Sequence, residues 1–337
     1  MKKLVIISNE RVSVNSKREF RSVNLDLKVL PDELTLNYDV QCIFRKTKVE
    51  QNHIFELKNI KAEPNISLFL WQVFKTLFYK DVRYLIVAIS PYTFLSFILL
   101  FISRKKNIHT YLMSNGFEEY KHILGAKFVW IYKFMFTIIT NFSKVIVCHE
   151  RLYDKKKSYL VSPSRLKSNW FNNISIPKID IPNFLYVGRI NPEKGIENFI
   201  SLFFSTNLQG QLTIAGNTEK IKINDSKIKL LGYVESEEKL IEEYDKSNIT
   251  ILPSYTEAHP YVLEESLARM RPIVIFEDIS YVKKNKVGVY VIKRNKEELI
   301  SITKMILQNY ASIQEEMKKN QLPTLSEMIN EFTEILR

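Results

Sequence analysis

Short aliphatic runs recur along this chain, and almost every one is followed by a stretch long enough for a helix. Few arrangements other than a helix-covered sheet satisfy that rhythm. In the first half Lys3–Ser8, Tyr84–Ile89, Ile108–Met113 and Lys144–Cys148 read as strands, with helical stretches such as Ile66–Phe78 and Phe128–Asn141 between them. These strands do not alternate with polar residues, so both of their faces are covered, as in a parallel sheet between layers of helices. A looser polar stretch follows Glu150, and then the pattern starts again. Asn183–Val187, Gln211–Ala215, Ile228–Leu231, Thr250–Leu252 and Ile273–Phe276 read as strands. Ile196–Leu208, Glu237–Asp245, Val262–Arg269 and Glu297–Asn320 read as helices. The expected architecture is therefore α/β, with two doubly wound domains in tandem. They are expected at 1–175 and 176–320, with the boundary within 172–182, and a closing amphipathic helix over 321–337 is expected to pack back on the first. A chain of 337 residues suits two cores better than one. Ligands of such sheets bind beyond the carboxyl ends of the strands, so two sheets that face one another enclose a cleft.

One segment needs a membrane test. Residues 84–103 carry no charge and are long enough to cross a bilayer. Ser90-Pro91 interrupts them, however, and proline disfavours helix in the residue before it. The segment parses better as a strand to Ile89, a turn, and an apolar helix from Tyr92 to Ser103. Residues 1–15 lack the apolar length and cleavage site of a signal peptide and read as an opening strand. Cys42 and Cys148 are the only cysteines; they form neither a disulfide framework nor a metal-binding spacing, and they suit a reducing compartment. The formal net charge of +12 resides in residues 1–180, the remainder being close to neutral. A basic half implies either solvated surface or an anionic partner, such as nucleic acid, an anionic glycan or an acidic membrane surface. The helices 92–103 and 128–142, rich in aromatic residues and the second carrying Lys133 with Lys144 just after it, could lie on such a membrane without crossing it, or serve as core helices.

Two segments of the second half carry chemistry. In Phe184–Gly195 (FLYVGRINPEKG) a strand runs into Gly188, the turn supplies Arg189, and Lys194-Gly195 precedes a helix. Two cations beside the free amides of a helix start suit a diphosphate, which needs neutralising charge and directed donors together. In Leu252–Pro272 (LPSYTEAHPYVLEESLARMRP) a loop after a strand carries Glu257 and His259, and Pro260 suits the first position of the following helix. Glu265 falls inside that helix, where a carboxylate could accept two hydroxyls of a sugar or ribose. Glu264 reads as exposed helix surface.

These residues resemble the retaining GT-B glycosyltransferases often called family 4. That family has a Pro-Ser turn, a glutamate, seven residues, a second glutamate and a small-apolar-Ala run, which Glu257, Glu265 and Ser266-Leu267-Ala268 match. VGR-x-x-x-x-KG over Val187–Gly195 is similar to the family's diphosphate loop, and Gln211–Gly216 and Leu230–Val234 to its strand ends. The resemblance implies two Rossmann-like domains of GT-B type facing a central cleft. It implies that Arg189 and Lys194 hold the donor diphosphate beside Gly188 and Gly216, that Glu257 contacts the transferred sugar, and that Glu265 accepts the ribose hydroxyls. Tyr233 and Val234 would flank the nucleobase where Gly232 lets the backbone approach, and amides near His259–Val262 would hold phosphate or sugar. The chain departs from the family at Ser8-Asn9-Glu10-Arg11, in place of a Gly-rich loop, and at Ala258 and Met270, where glycines are usual.

The resemblance further implies transfer with retention from a nucleotide sugar, UDP- or GDP-linked, to a glycan or lipid-linked acceptor in bacterial surface polysaccharide synthesis. No cofactor, metal or nucleic acid is expected, and the expected location is the inner face of the cell membrane. The residues alone leave open a sugar-nucleotide epimerase or hydrolase of the same fold, and a basic membrane- or nucleic-acid-binding module. On the acceptor side His109, Asn115, His122 and His149 are candidates, none of them distinguished.

Overall fold

In the computed structural model of the chain, residues 1–153, 158–257 and 259–337 are described, apart from the side chains of His122, Ile123 and Lys220. The chain divides into two compact units, Met1–Pro163 with Ser326–Arg337, and Ser164–Leu325. Both are doubly wound.

The first unit holds strands β1 (Lys2–Val14), β2 (Phe20–Ser22), β3 (Tyr38–Thr47), β4 (His53–Ile54), β5 (Ile60–Glu63), β6 (Val82–Val87), β7 (Ile108–Leu112), β8 (Lys144–Val147) and β9 (Ser158–Leu160). Its helices are α1 (Leu25–Leu34), α2 (Ile66–Thr76), α3 (Pro91–Ile102), α4 (Gly116–Leu124) and α5 (Val129–Phe142). Strands β5, β3, β1, β6, β7, β8 and β9 lie side by side and parallel, while β2 pairs antiparallel with the far end of β1 and β4 antiparallel with β2. The uncharged stretch breaks at Ser90-Pro91 as the sequence predicts. Ser90 and Thr93 form a reciprocal capping box with proline in the first turn, which starts α3 sharply. Among the described residues no helix is long and apolar enough to cross a membrane.

Two sequence expectations change here. Ser8-Asn9-Glu10-Arg11 is not a loop: β1 passes through it with a register shift between Ile7 and Arg11. Asn9 accepts a hydrogen bond from Arg45 at 3.2 Å, and Glu10 accepts one from Ser22 at 2.8 Å, so side-chain pairing carries the strand onward. Strand β3 also escapes sequence reading, because its polar Gln41, Arg45 and Lys46 mask the aliphatic run.

The second unit holds β10 (Asn183–Val187), β11 (Gln211–Ala215), β12 (Ile228–Gly232), β13 (Ile249–Leu252), β14 (Ile273–Phe276) and β15 (Val289–Ile292), all parallel in the order β12-β11-β10-β13-β14-β15. Helices α6 (Ile196–Ser205), α7 (Glu237–Lys246), α8 (Tyr261–Ala268), α9 (Lys296–Gln308) and α10 (Tyr310–Met317) cover it, the helical stretch expected over 297–320 being divided in two at Asn309. The strand order reverses between β10 and β13, the point at which open parallel sheets leave a crevice. Residues from Ser164 onward pack with this unit, since Leu166 and Trp170 join a buried cluster with Leu185, Tyr244 and Ala268. Buried Arg269 reinforces this, donating to both oxygens of Asp245 at 2.9 and 2.6 Å and to the carbonyls of Trp170 and Asn172.

Helix α11 (Leu325–Leu336) lies largely in the first unit. Phe332 meets Tyr111 edge-on at 5.0 Å, Tyr38 donates to the Thr333 carbonyl at 3.2 Å, and Arg83 donates to the carbonyl of Leu336. His109 on β7 is almost fully buried, and neither ring nitrogen has a hydrogen-bond partner. Burial, with Lys144 adding like charge, pushes its imidazole down from 6.5 to about 4. Between those values the unfolded chain takes up a proton that the folded chain refuses, so this contribution to stability is complete above pH 6.5 and is lost as the pH falls towards 4. At pH 5 the loss is about 2 kcal/mol. Urea unfolding at pH 7.5 and pH 5 measures it, and His109→Leu is expected to remove about that much of the difference between the two pH values.

Candidate functional site

Four strands of the second unit end in turns that the sequence singles out. Strand β10 runs into Gly188 and Arg189, β11 into Gly216, β12 ends at Gly232, and β13 runs into Pro253-Ser254. The first three ends are laced together: the Gly188 amide donates to the Ala215 carbonyl, and the Gly216 amide to Gly232, each at 2.9 Å. A Cβ on Gly216 would stand 2.0 Å from the Gly188 carbonyl oxygen, so only glycine permits this approach. The Tyr186 hydroxyl donates to the Arg189 carbonyl at 2.6 Å and pins the turn, leaving the Arg189 side chain exposed.

Lys194 and Glu257 meet across the strand-order reversal. Lys194 Nζ lies 2.6 Å from Glu257 Oε1, and the same oxygen accepts from the Ser254 hydroxyl at 2.7 Å. The Glu257 backbone is held on both sides by Tyr281, whose hydroxyl accepts from its amide at 3.2 Å and donates to its carbonyl. From beneath, the Arg294 guanidinium donates to the carbonyls of Pro253 and Ser254 at 2.9 and 3.0 Å and packs over the Tyr255 ring. The Tyr255 amide donates to the Glu193 carbonyl at 2.9 Å, joining the two loops directly. Arg189, Glu193 and Glu257 all act electrostatically on Tyr186; burial first, and Glu257 second, raises its phenol well above the ordinary range. Of the residues the sequence singles out, Lys194 and Glu257 meet directly, and Arg189 shares their electrostatic neighbourhood through Tyr186 and Glu193, while Arg294 and Tyr281 carried no motif by which to find them.

Glu265 sits one helical turn along α8 and is 5% exposed. Its Oε2 accepts from the buried Tyr244 hydroxyl at 2.9 Å, and burial together with this carboxylate raises the Tyr244 phenol. Tyr233 is exposed, Val234 is half-buried, and Gly232 takes a left-handed φ of 72° with open space where a Cβ would stand. Arg165, which sequence reading passed over, packs on the Tyr261 ring at 4.1 Å and acts electrostatically on both Tyr233 and Tyr244.

Three details differ from expectation. Pro260 caps α8 instead of opening it, its backbone still extended at φ −83° and ψ 101°. Glu264 is not helix surface: it is 3% exposed, with Lys286 at 2.9 Å and His259 Nε2 at 3.4 Å from its two oxygens. Burial alone would raise its carboxyl, but His259 and Lys286 outweigh burial and lower it. Met270 has a left-handed φ of 54°; Arg271 and Met270 donate back to Ser266 and Leu267 at 2.8 and 3.0 Å, closing α8 in the manner that glycine usually serves. Ala258 and the His122 side chain lie outside the described residues. On the acceptor side His109 is buried in the sheet, Asn115 caps α4 by accepting from Phe117, and His149 accepts from the Arg151 amide. Among the described residues no group of three or more His, Cys, Asp or Glu side chains is arranged to hold a metal.

The two doubly wound units are those of the GT-B fold. Three solved structures share it along the whole chain. HepE from Anabaena, in complex with UDP and glucose, is 12% identical with a TM-score of 0.70, over 100% of this chain and 99% of that one. Sucrose-phosphate synthase from Thermosynechococcus elongatus is 15% identical with a TM-score of 0.63, over 100% and 94%. WaaG, a glycosyltransferase involved in lipopolysaccharide biosynthesis, is 12% identical with a TM-score of 0.63, over 98% and 99%. Residues 172–322, within the second unit, match the family model described as Glycosyl transferases group 1. No curated protein matches the chain by sequence.

Gly195 has a left-handed φ of 65°, and a Cβ there would stand 2.2 Å from the Pro253 carbonyl oxygen. Gly195→Ala is expected to lower unfolding stability by about 2–3 kcal/mol, from backbone strain plus the forced parting of the two loops. Denaturant titration at fixed pH measures it; an unchanged midpoint would show that the loops are not in contact.

Proposed function

We propose that the chain transfers a sugar, with retention, from a nucleoside-diphosphate donor to a glycan or lipid-linked acceptor in the synthesis of a surface polysaccharide. The observation that carries this reading is the Lys194–Glu257 pair spanning the β10–β13 reversal, with Arg189 exposed in the turn that follows β10. The crevice there opens between two loops, one bringing cations and the other a carboxylate. A nucleotide sugar has that polarity: a diphosphate to be neutralised, and hydroxyls that need acceptors. Support comes from the family of residues 172–322 and from HepE, a chain of the same fold solved with UDP and glucose.

In this reading Glu257 keeps Lys194 extended across the crevice before donor arrives, so little reorganisation is needed when phosphate replaces the carboxylate as its partner. Arg189 and Lys194 then stabilise the charge that grows on the departing diphosphate, the point at which fixed donors act most strongly on a rate. Glu257 faces the transferred sugar. Glu265, oriented by Tyr244, accepts from the ribose, and Tyr233 and Val234 flank the base. The departing phosphate takes the proton of the acceptor hydroxyl, so retention requires no protein base of unusual strength. With two cations neutralising the phosphates, no metal is required.

The acceptor side is drawn from the first unit. Helices α2, α3 and α5 cover one face of its sheet, with Phe69, Val73, Phe97, Leu100 and Met135 turned inward. Outward stand Trp71, Phe78, Ile102, Trp130, Phe134 and Phe142, the Trp130 side chain 67% exposed, among the cations Lys75, Arg104, Lys106, Lys127 and Lys133. Aromatic rings bordered by lysine and arginine match an anionic membrane face, which supplies an apolar layer beneath a negative one. This surface supports a location at the inner face of the cell membrane, where a lipid-linked acceptor would be presented.

Arg189→Ala and Lys194→Ala are each expected to lower kcat by about 10²–10³, more than they weaken donor binding. Assays with a panel of UDP- and GDP-sugars in excess chelator measure this, and near-normal turnover of either variant, or a strict need for added metal, would overturn the assignment. Flotation with liposomes containing anionic lipid is expected to carry the wild-type chain. A Trp71→Ser/Trp130→Ser double variant should float several-fold less, and high salt should weaken both; equal flotation on neutral liposomes would count against the cationic contribution.

A further inference from the structure

Glu264 is the residue whose placement the motif does not explain. A carboxylate 3% exposed is costly to bury, and here only one oxygen is well paired, with Lys286 Nζ at 2.9 Å. The other oxygen, Oε2, has no hydrogen bond of good geometry, and neither has His259 Nε2, buried and facing it at 3.4 Å. These two unsatisfied atoms answer one another. His259 is the second residue after Glu257, in the loop that follows β13, and its ring stands edge-on to Tyr261 at 5.2 Å. The charged groups around the imidazole are Glu264 on α8, Lys286 from the segment before β15, and Arg165 on the Tyr261 ring. Lys194 and Glu257 belong to the neighbouring crevice.

We propose that Glu264, clamped by Lys286, is a positioning residue that fixes His259 to read the hydroxyls of the transferred sugar. A carboxylate facing Nε2 makes that nitrogen the one that bears the proton. Nδ1 is left as an acceptor on a ring that cannot turn over without replacing the Nε2–H that faces the carboxylate by the far weaker donor Cε1–H. A fixed acceptor two residues beyond Glu257 in the same loop would distinguish sugars by the direction of a single hydroxyl, since a misdirected hydroxyl leaves a polar group unpaired. Lys286 holds the carboxylate from behind, so the relay runs Lys286–Glu264–His259 to the sugar. The proposal rests on the transferase reading and adds to it the side chains that select among donor sugars.

The test separates the two. Calorimetric titration measures binding of UDP and GDP, and of their glucose, galactose, N-acetylglucosamine and mannose conjugates, to the full chain. The wild type is expected to bind one nucleotide and to discriminate among its sugars by about tenfold or more. Glu264→Leu, Glu264→Gln and His259→Phe are each expected to reduce that discrimination to about twofold, with affinity for the bare nucleoside diphosphate retained. A Glu264→Leu/His259→Phe double variant should lose no more than either single change, because both act through one imidazole. Glu264→Gln keeps the shape but turns an N–H towards Nε2, and Glu264→Leu replaces the buried charge with an apolar group that the fold tolerates. If the Glu264 variants keep wild-type discrimination, lose nucleotide and sugar binding in equal proportion, or add to His259→Phe, the proposal fails. It fails also if the wild type binds nucleotide but distinguishes no sugar. Should the wild type bind neither nucleotide, the transferase reading falls first and takes the proposal with it.

Discussion

The second unit is organised around a single constraint: a cation and a carboxylate from loops far apart in sequence must stand 2.6 Å apart across the reversal of strand order. A parallel sheet creates that place without any help from the residues in it. Strands to one side of β10 and strands beginning with β13 on the other send their connections in opposite directions, so the loops part and a crevice is left. Everything nearby keeps the two loops in register. Gly195 lets them touch, the Tyr255 amide binds the Glu193 carbonyl, and Arg294 and Tyr281 hold the turn that carries Glu257. The half-buried pair is supported by polar contacts that leave it little freedom. Preorganisation of this kind lets a fixed charge act on a reacting group without first having to move.

A second layer of buried charge lies beneath α8. Arg269, Asp245 and Arg271 tie the helix end to the segment that leads into the unit. Lys286 and Glu264 tie the helix start to the segment before β15. Charges so deeply buried add little to net stability when compared with apolar residues of similar size, because desolvation offsets most of the attraction. What they add is geometry. Helix α8, with Glu265 on it and His259 ahead of it, is set at both ends by directional bonds in addition to apolar packing. The left-handed Met270 shows the same priority, since the helix keeps its terminating hydrogen bonds at the cost of backbone strain that glycine would relieve.

The alternation of aliphatic runs and helices disclosed both doubly wound units because burial on two faces removes polar residues from a strand regardless of what surrounds it. The pattern weakened where strands were polar or long. Strand β3 was hidden by Gln41 and Arg45, and β1 ran beyond its aliphatic core because partners for Asn9 and Glu10 lie on strands distant in sequence. At the site, Arg189, Lys194, Glu257 and Glu265 were legible through their spacing along loops and one helix. Arg165, Arg294, Tyr281 and Lys286 were not, since each reaches the site from another element and nothing local marks it.

By itself, then, the sequence determined which elements form and which charged residues stand at their ends, for these follow from periodicity, turn chemistry and spacing over a few residues. Only the tertiary structure decided what each charge meets. It turned Glu264 from supposed surface into a buried partner of His259 and Lys286, joined Lys194 to Glu257, and drew the Ser8–Arg11 segment into a strand. The reason is physical: a carboxylate or a guanidinium has no preferred burial of its own, and its environment is set by segments that only the folded sheet brings beside it.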